Sequence, residues 1–347
     1  MNLSYINEKF NTQAKCVAYL EKVRWHGKPV CPFCKSDNVT ARHLMKKSPR
    51  GRKRIHAEQP RNVPQYHCNS CNKDFTVLYG TIFEGSKMPL TKWFTLIALM
   101  INAKKGISAM QISRDLGITY KSAWYSSMRV RCAMLDQAEM LNGIVEIDEA
   151  YVGGKPRHRY HSGDSSATLS TVTTKRGRGT KKIPVVGIVE RTGKKRVVTK
   201  IMEHLTSADL LKMLKRYVNM TDVIVMSDEY KGYKKFDNYV QHLSVNHSKK
   251  EYVRDNFIHT NTIEGFWSLV KNGIRGQYHV LSKKYLPFYL AEFAYKYNHR
   301  NEHDTTFKET IENAVTEPKC AVNYKPKAYP KFLAYKRRKK KGAVGKK

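Results

Sequence analysis

Acidic residues are scarce in this 347-residue chain: 29 Asp and Glu stand against 64 Lys and Arg, leaving a formal net charge of +35. An imbalance of that size speaks about partners rather than fold. It points to a polyphosphate, nucleic acid first, with an acidic membrane surface as the weaker alternative. Long apolar runs are missing too. No stretch of 18 apolar residues occurs, which argues against membrane-spanning helices, and the opening MNLSYINEKF lacks the apolar core of a signal peptide. Cysteine is sparse, at seven residues, and Cys16, Cys132 and Cys320 stand alone in sequence. No disulfide framework emerges, which fits a reducing interior. Internal repeats are absent. The expected setting is the cytoplasm, with the chain associated with the nucleoid and not with a membrane.

The remaining four cysteines are not scattered. CPFC (Cys31, Cys34) and CNSC (Cys68, Cys71) are two Cys-x-x-Cys knuckles, each able to present two thiolates to one tetrahedral zinc ion. The gap between them is long and basic (RHLMKKSPRGRKRIHAEQPRNVPQ) and reads as an arm thrust out of a zinc ribbon. Apolar residues make up 41% of the chain, as in a folded protein, and the length allows two or three domains.

Helical spacing begins at Trp93 and continues through Leu96, Ile97, Met100 and Ile101. GISAMQISRDLGITYKSAWYSSMRVR then has the cadence of a helix-turn-helix. Ser108 caps a first helix, Gly117 breaks it, and Thr119 caps a second. Tyr120, Lys121, Ser122, Tyr125, Ser126 and Arg129 are expected on the exposed, DNA-facing side of that second helix. From Gly143 the pattern turns to strands. GIVEIDEAYVGG is one, a polar basic loop (SGDSSATLSTVTTKRGRGTKK) follows, and IPVVGIVERTGKKRVVTKIM is a hairpin through Thr192-Gly193. Thr206 and Asp209 open a helix with a capping signal. DVIVMSDEYKGY is a buried strand, NTIEGFWSLVKNGI and YLPFYLAEFAYKYNHR are helices, and the chain closes on a basic tail. The succession is that of a mixed α/β, ribonuclease H-like sheet with its first strand central.

Two strands share one form: an apolar run, then Asp, then Glu. Asp148 in VEIDEAY and Asp228 in VMSDEYKGY are expected at strand ends, brought together by pairing, where carboxylate oxygens suit hard divalent cations. Phosphodiester cleavage uses two such ions about 4 Å apart. Glu264 is the candidate third acid. Ile263, Trp267, Val270 and Ile274 form the buried stripe of its helix, and Glu264, Ser268 and Lys271 form a second stripe beside it. Lys271 thus lies two turns from Glu264 on one face, placed to hold a phosphate. Asn261 stands at capping-box spacing from Glu264, so the glutamate can instead be read as a helix-start residue.

The motifs CPFC…CNSC, YGTIFEGSKMPLTKW, VEIDEAYVGG, SDEYKGY, HTNTIEGFWSLVKNGIRGQYH and LAEFAYKYNHR together resemble insertion-sequence transposases of the IS1595 family, the ISXO2-like group, over roughly residues 15 to 305. The resemblance implies a DDE-type catalytic domain of ribonuclease H fold. It implies strand cleavage and transfer that depend on Mg2+ or Mn2+, and binding to the element's terminal inverted repeats. It leaves the third catalytic position open between Glu264 and Asn261, since members sometimes carry Asn there. The expected layout is a zinc ribbon with its arm at 1–80, a helical DNA-binding region at 81–141, the catalytic domain at 142–305 and the basic tail at 306–347. Expected partners are double-stranded DNA, as element ends and target, and further copies of the chain in a homodimer or larger oligomer on DNA. A non-enzymatic zinc-ribbon and helix-turn-helix regulator is the alternative, as is an inactive, domesticated copy. The regulator reading leaves the acids beyond Gly143 without a purpose.

Overall fold

The computed structural model describes residues 2–42, 63–135, 139–153, 182–245, 257–279, 281–302 and 305–316. Most of the expected basic arm, nearly all of the basic loop from Ser162 and the C-terminal tail beyond Thr316 lie outside the described residues, whereas the first part of the expected tail, Thr306–Thr316, is a helix. The chain folds into two compact units, each drawn from separate stretches of sequence. The first comprises Met1–Ala98, Trp124–Ala133 and Phe307–Lys347, the second Leu99–Ala123 and Met134–Thr306.

In the first unit, helices α1 (Leu3–Lys9) and α2 (Gln13–Trp25) start at Asn2 and Thr12, whose side-chain oxygens accept the N–H groups of Ser4 and Lys15. A small antiparallel sheet follows, with β1 (Val39–Arg42), β2 (Gln65–Cys68) and β3 (Lys73–Thr76) in that order. Phe10 packs edge-on against Phe94, with ring centroids 4.8 Å apart, and Phe94 against Phe307 at 5.8 Å. Phe94 belongs to α3 (Leu90–Asn102), whose expected stripe is buried at Trp93, Leu96, Ile97 and Met100 and half-buried at Ile101.

The second unit holds α4 (Ala109–Leu116) and the start of α5 (Tyr120–Ala133), capped by Ser108 and Thr119 as the sequence suggested. Its five strands are β4 (Ile144–Val152), β5 (Ile183–Glu190), β6 (Val197–Ile201), β7 (Ile224–Asp228) and β8 (Gln241–Val245), and they lie in the order β6-β5-β4-β7-β8. β4, β5 and β6 form an antiparallel meander. Helix α6 (Ser207–Tyr217), capped by Thr206, then carries the chain across, so β7 and β8 join β4 in parallel. Antiparallel hairpins on one side of a central first strand and parallel strands on the other make a ribonuclease H-like sheet. β8 and the 3-10 segment Lys231–Asn238 before it were not anticipated, because the segment is polar apart from the alternate anchors Tyr233 and Phe236, both fully buried.

Residues along β4 alternate between two cores. Val145 and Ile147 pack with Leu210, Met213 and Leu214 of α6. Ala150 and Val152 pack with Ile263, Phe266 and Trp267 of α7 (Asn261–Gly273) and with Leu290 and Phe293 of α8 (Leu286–Asn298). Glycine at 187 sets how closely α7 lies on the sheet. A Cβ there would come within 2.7 Å of Trp267 and 2.9 Å of Ile263. Gly187 is the register partner of Asp148, so the close approach occurs beside the acid. Gly187→Val is therefore expected to destabilise the full chain by about 1–3 kcal/mol through overpacking, read as a lower denaturant midpoint.

Candidate active site and metal centres

In the first unit the four cysteines converge. Cys31, Cys34, Cys68 and Cys71 each offer a sulfur within 4.8 Å of the others. Cys31 and Cys71 have their Sγ atoms 3.6 Å apart, Cys34 and Cys68 3.5 Å. Tetrahedral ligation at Zn–S distances near 2.3 Å requires S–S separations of about 3.8 Å, so the cluster fits a zinc ion. Both knuckles are built alike. The N–H of Lys35 returns to the carbonyl of Cys31 and that of Asn72 to Cys68, with both returning residues in the left-handed region. Burial acts to raise the Cys68 thiol, but N–H donors of Cys71 and Ser70 and neighbouring thiols bring it down to about 6, while burial and the other thiols push Cys71 up to about 12, so binding a metal must displace protons from the set.

The acids gather in the second unit. Asp148 was expected at a strand end but lies in the middle of β4, which continues beside β5 to Val152. What ends near it is β7, which pairs with β4 from Ile224 to Met226 and stops at Asp228. Asp148, Glu149 and Asp228 each place an oxygen within 4.8 Å of the others. Tyr233 donates its hydroxyl to Glu149 at 2.7 Å, and Asp228 accepts the N–H of Tyr230 at 3.0 Å. Burial first, then the charges of Glu149, Asp228 and Glu264, push the Asp148 carboxyl up to about 7. A cluster of hard oxygen donors whose charges disfavour one another is what a divalent cation relieves. Glu149 was noted in the sequence only as the second half of the Asp-Glu pair; that pair, repeated in both strands, was its signal.

Glu264 and Asp148 line one cleft of about 450 Å3 together with Ser268, Lys271, Asn272 and Arg275. The stripe Glu264, Ser268, Lys271 thus faces Asp148. Arg275 extends it one turn further and went unremarked in the sequence. Asn261 is the exposed first residue of α7 and does not line that cleft. The capping box it could form with Glu264 is not made. The N-cap is Thr260, the residue before the helix, and its hydroxyl donates to Glu264 at 3.1 Å.

What holds the start of α7 is Glu146, two residues before Asp148 and fully buried. Its carboxylate accepts from the Ile263 N–H at 2.9 Å, the Thr262 hydroxyl at 2.8 Å and Arg191 Nε at 3.2 Å. Arg191 also reaches His259 Nε2 at 2.6 Å, and the Nδ1 of that ring lies 3.4 Å from both Glu146 and the Asn261 backbone nitrogen. A strand carboxylate thereby caps the helix that carries Glu264. Glu146→Ala leaves this buried cationic network uncompensated and is expected to cost about 3–5 kcal/mol, measurable by denaturant unfolding of the full chain.

Of the expected DNA-facing residues, Tyr120, Lys121, Ser122 and Tyr125 are exposed. Ser126 and Arg129 are not: they are 5% and 4% accessible. Arg129 donates to the carbonyl of Glu84 at 2.7 Å and lies over the Tyr125 ring, so it serves packing and not an outer face. A guanidinium can satisfy a buried carbonyl, which the pattern of polar residues in sequence does not reveal. No helix among the described residues is long and apolar enough to cross a membrane.

A ribonuclease H-like sheet with clustered carboxylates on its two central strands, in a chain that also carries a four-cysteine ribbon, defines a protein of the DDE transposase class. Residues 140–298 match the ISXO2-like transposase domain and residues 11–74 the transposase zinc-ribbon domain, both of IS1595 type. The chain belongs to the IS1595 family of insertion-sequence transposases. It is 28% identical over 293 residues to an uncharacterized protein in transposable element ISH50 of Halobacterium salinarum, covering 82% of this chain and 90% of that one. Among solved structures, a pre-cleavage Mos1 transpososome aligns over 65% of this chain and 79% of its own, at 12% identity and a TM-score of 0.27. A Mos1 transposase paired-end complex with the left transposon end aligns over 64% and 79%, at 12% identity and 0.26.

Proposed function

We propose that the chain binds the terminal inverted repeats of its element, cuts a strand at each end and joins the resulting 3′-hydroxyl to target DNA. The observation that carries this reading is that Asp148 belongs to two groupings at once, an oxygen cluster with Glu149 and Asp228 and a cleft that it lines with Glu264 and Lys271. Asp148 and Asp228 hold Mg2+ or Mn2+, and Glu264 completes the oxygen set. Divalent cations there supply the Lewis acidity that phosphodiester cleavage requires. Lys271 and Arg275 hold the phosphates next to the scissile bond. In the first step water attacks, one P–O bond forms and one breaks, and the strand leaves with a free 3′-hydroxyl. That hydroxyl then attacks a target phosphodiester with the same balance, so no covalent enzyme intermediate is needed.

The four-cysteine cluster carries a structural zinc. Tyr120, Lys121, Ser122 and Tyr125 contact the duplex as recognition residues, and two or more copies assemble on DNA to hold both ends. The segment boundaries given above, at residues 80, 141 and 305, stand as the working division of labour. The test is a strand-cleavage assay on DNA from the element's own ends, with Glu264→Gln and Asn261→Ala compared. Glu264→Gln is expected to lose cleavage and Asn261→Ala to keep it. The reverse result would move the third catalytic position to Asn261.

A further inference from the structure

Helix α7 has a second face that the cleavage reading leaves unused. A pocket of about 710 Å3 lies along it, larger than the acid cleft. Ile101, Leu269 and Tyr297 give it apolar and aromatic walls, and Lys104, Lys105 and Arg300 bring positive charge. No carboxylate is among its described lining residues. Ser268 and Asn272 line both this pocket and the acid cleft, so the two adjoin across one helix. The cations are placed by structure. Arg300 lies 4.1 Å from the Tyr297 ring centroid and donates to the carbonyl of Lys195 at 3.0 Å. Lys296 bridges Glu292 and the carbonyl of Ala103, each at 2.8 Å, which ties the segment carrying Lys104 and Lys105 to α8.

Gly265 is the second observation. It lines the pocket from within α7, one residue from Glu264. A Cβ built there meets nothing within 4 Å, and the residue is not among the glycines with positive φ. Neither packing nor backbone conformation asks for glycine, while glycine inside a helix is less stable than alanine. Space for a ligand lying close against the helix accounts for it.

We propose that this pocket receives one unpaired nucleotide of the DNA strand next to the scissile phosphate, its base within and its phosphate against the lysines and Arg300. A duplex is far too wide for such a volume, whereas a nucleotide fits. Phosphate alone would waste the Ile101 and Leu269 walls, whereas a base gains from apolar contact and from stacking on a guanidinium or aromatic face. Drawing the base out of the stack would also hold the strand in place at the acids.

The inference rests on the cleavage reading, and its test separates the two. Full-length protein is mixed with end DNA carrying 2-aminopurine at single positions around the cleavage point, using wild type, Gly265→Ala and Gly265→Leu. Wild type is expected to raise fluorescence at one position, reporting an unstacked base. Gly265→Leu should abolish that rise and slow cleavage by about tenfold, the order of one lost base-stacking contact, with overall DNA binding kept. Gly265→Ala should raise Tm and yet cut more slowly than wild type, a combination that damage to the fold does not produce. An abasic site at the reporting position should narrow the gap between Gly265→Leu and wild type. If both variants cut at the wild-type rate, or no position brightens, the nucleotide pocket is wrong while cleavage dependent on Asp148 would still stand. If wild type with Mg2+ or Mn2+ cuts no end DNA at all, it is the cleavage reading that fails.

Discussion

Asp148→Asn and Asp228→Asn should each lower the single-turnover rate of end cleavage by ~10³-fold, with binding to the same DNA nearly unchanged. The two carboxylates sit on neighbouring strands, Asp148 where β4 outruns β7 and Asp228 at the last residue of β7. Amide replacement keeps their volume and some hydrogen bonding but removes the charge that draws in a divalent cation. Stabilisation of the reacting phosphate at such a site amounts to several kcal/mol; at about 4 kcal/mol and tenfold per 1.36 kcal/mol, the loss is ~10³-fold. Binding should survive because sequence is read by contacts to bases and position by contacts to phosphates, neither of which these acids make. The substitutions should also steady the folded chain without metal, since burial and the acidic neighbours push Asp148 up to about 7. A drop in both cleavage and DNA binding would instead indicate a structural role for the acids.

The second large effect belongs to the ribbon. Cys68→Ser should remove zinc from the full-length chain, taking metal content from about one equivalent to near none, and should unfold β1 to β3. Structural zinc in small domains contributes about 10–16 kcal/mol of apparent binding free energy, far more than a three-stranded sheet of this size can supply. Cys68 is fully buried and its Sγ lies 3.5 Å from that of Cys34, so a serine there loses both ligand and packing. Protease nicking within the first 80 residues, absent from wild type, would report the local unfolding. Intact DNA binding and an undisturbed ribbon after chelation would rule out a structural metal.

Residues whose role is set by near neighbours in sequence were legible. The cysteine knuckles, the caps at Ser108, Thr119 and Thr206 and the hairpin through Thr192-Gly193 all depend on a few adjacent positions, and the structure forms each of them. The α7 stripes could be read because helical period places Glu264 and Lys271 on one face regardless of what lies opposite. Glu146 was not legible. In sequence it is one more polar residue in a strand, and its meaning comes from Ile263, 117 positions later. Arg129 failed for the same reason, since only the fold brings the Glu84 carbonyl to it. Asp148 was found as a residue but misplaced as a strand end, because β4 continues past the point where β7 stops. The nucleotide pocket gave no sequence signal beyond an unexplained glycine.

The most direct test replaces Asp148 with cysteine and measures end cleavage in Mg2+ and then in Mn2+ or Cd2+. A thiolate is a poor ligand for Mg2+ and a better one for softer ions. If Asp148 ligates the catalytic metal, Asp148→Cys is inactive in Mg2+ and regains cleavage in the softer ions, while wild type cuts in Mg2+. Wild-type cleavage by Asp148→Cys in Mg2+ would contradict the account.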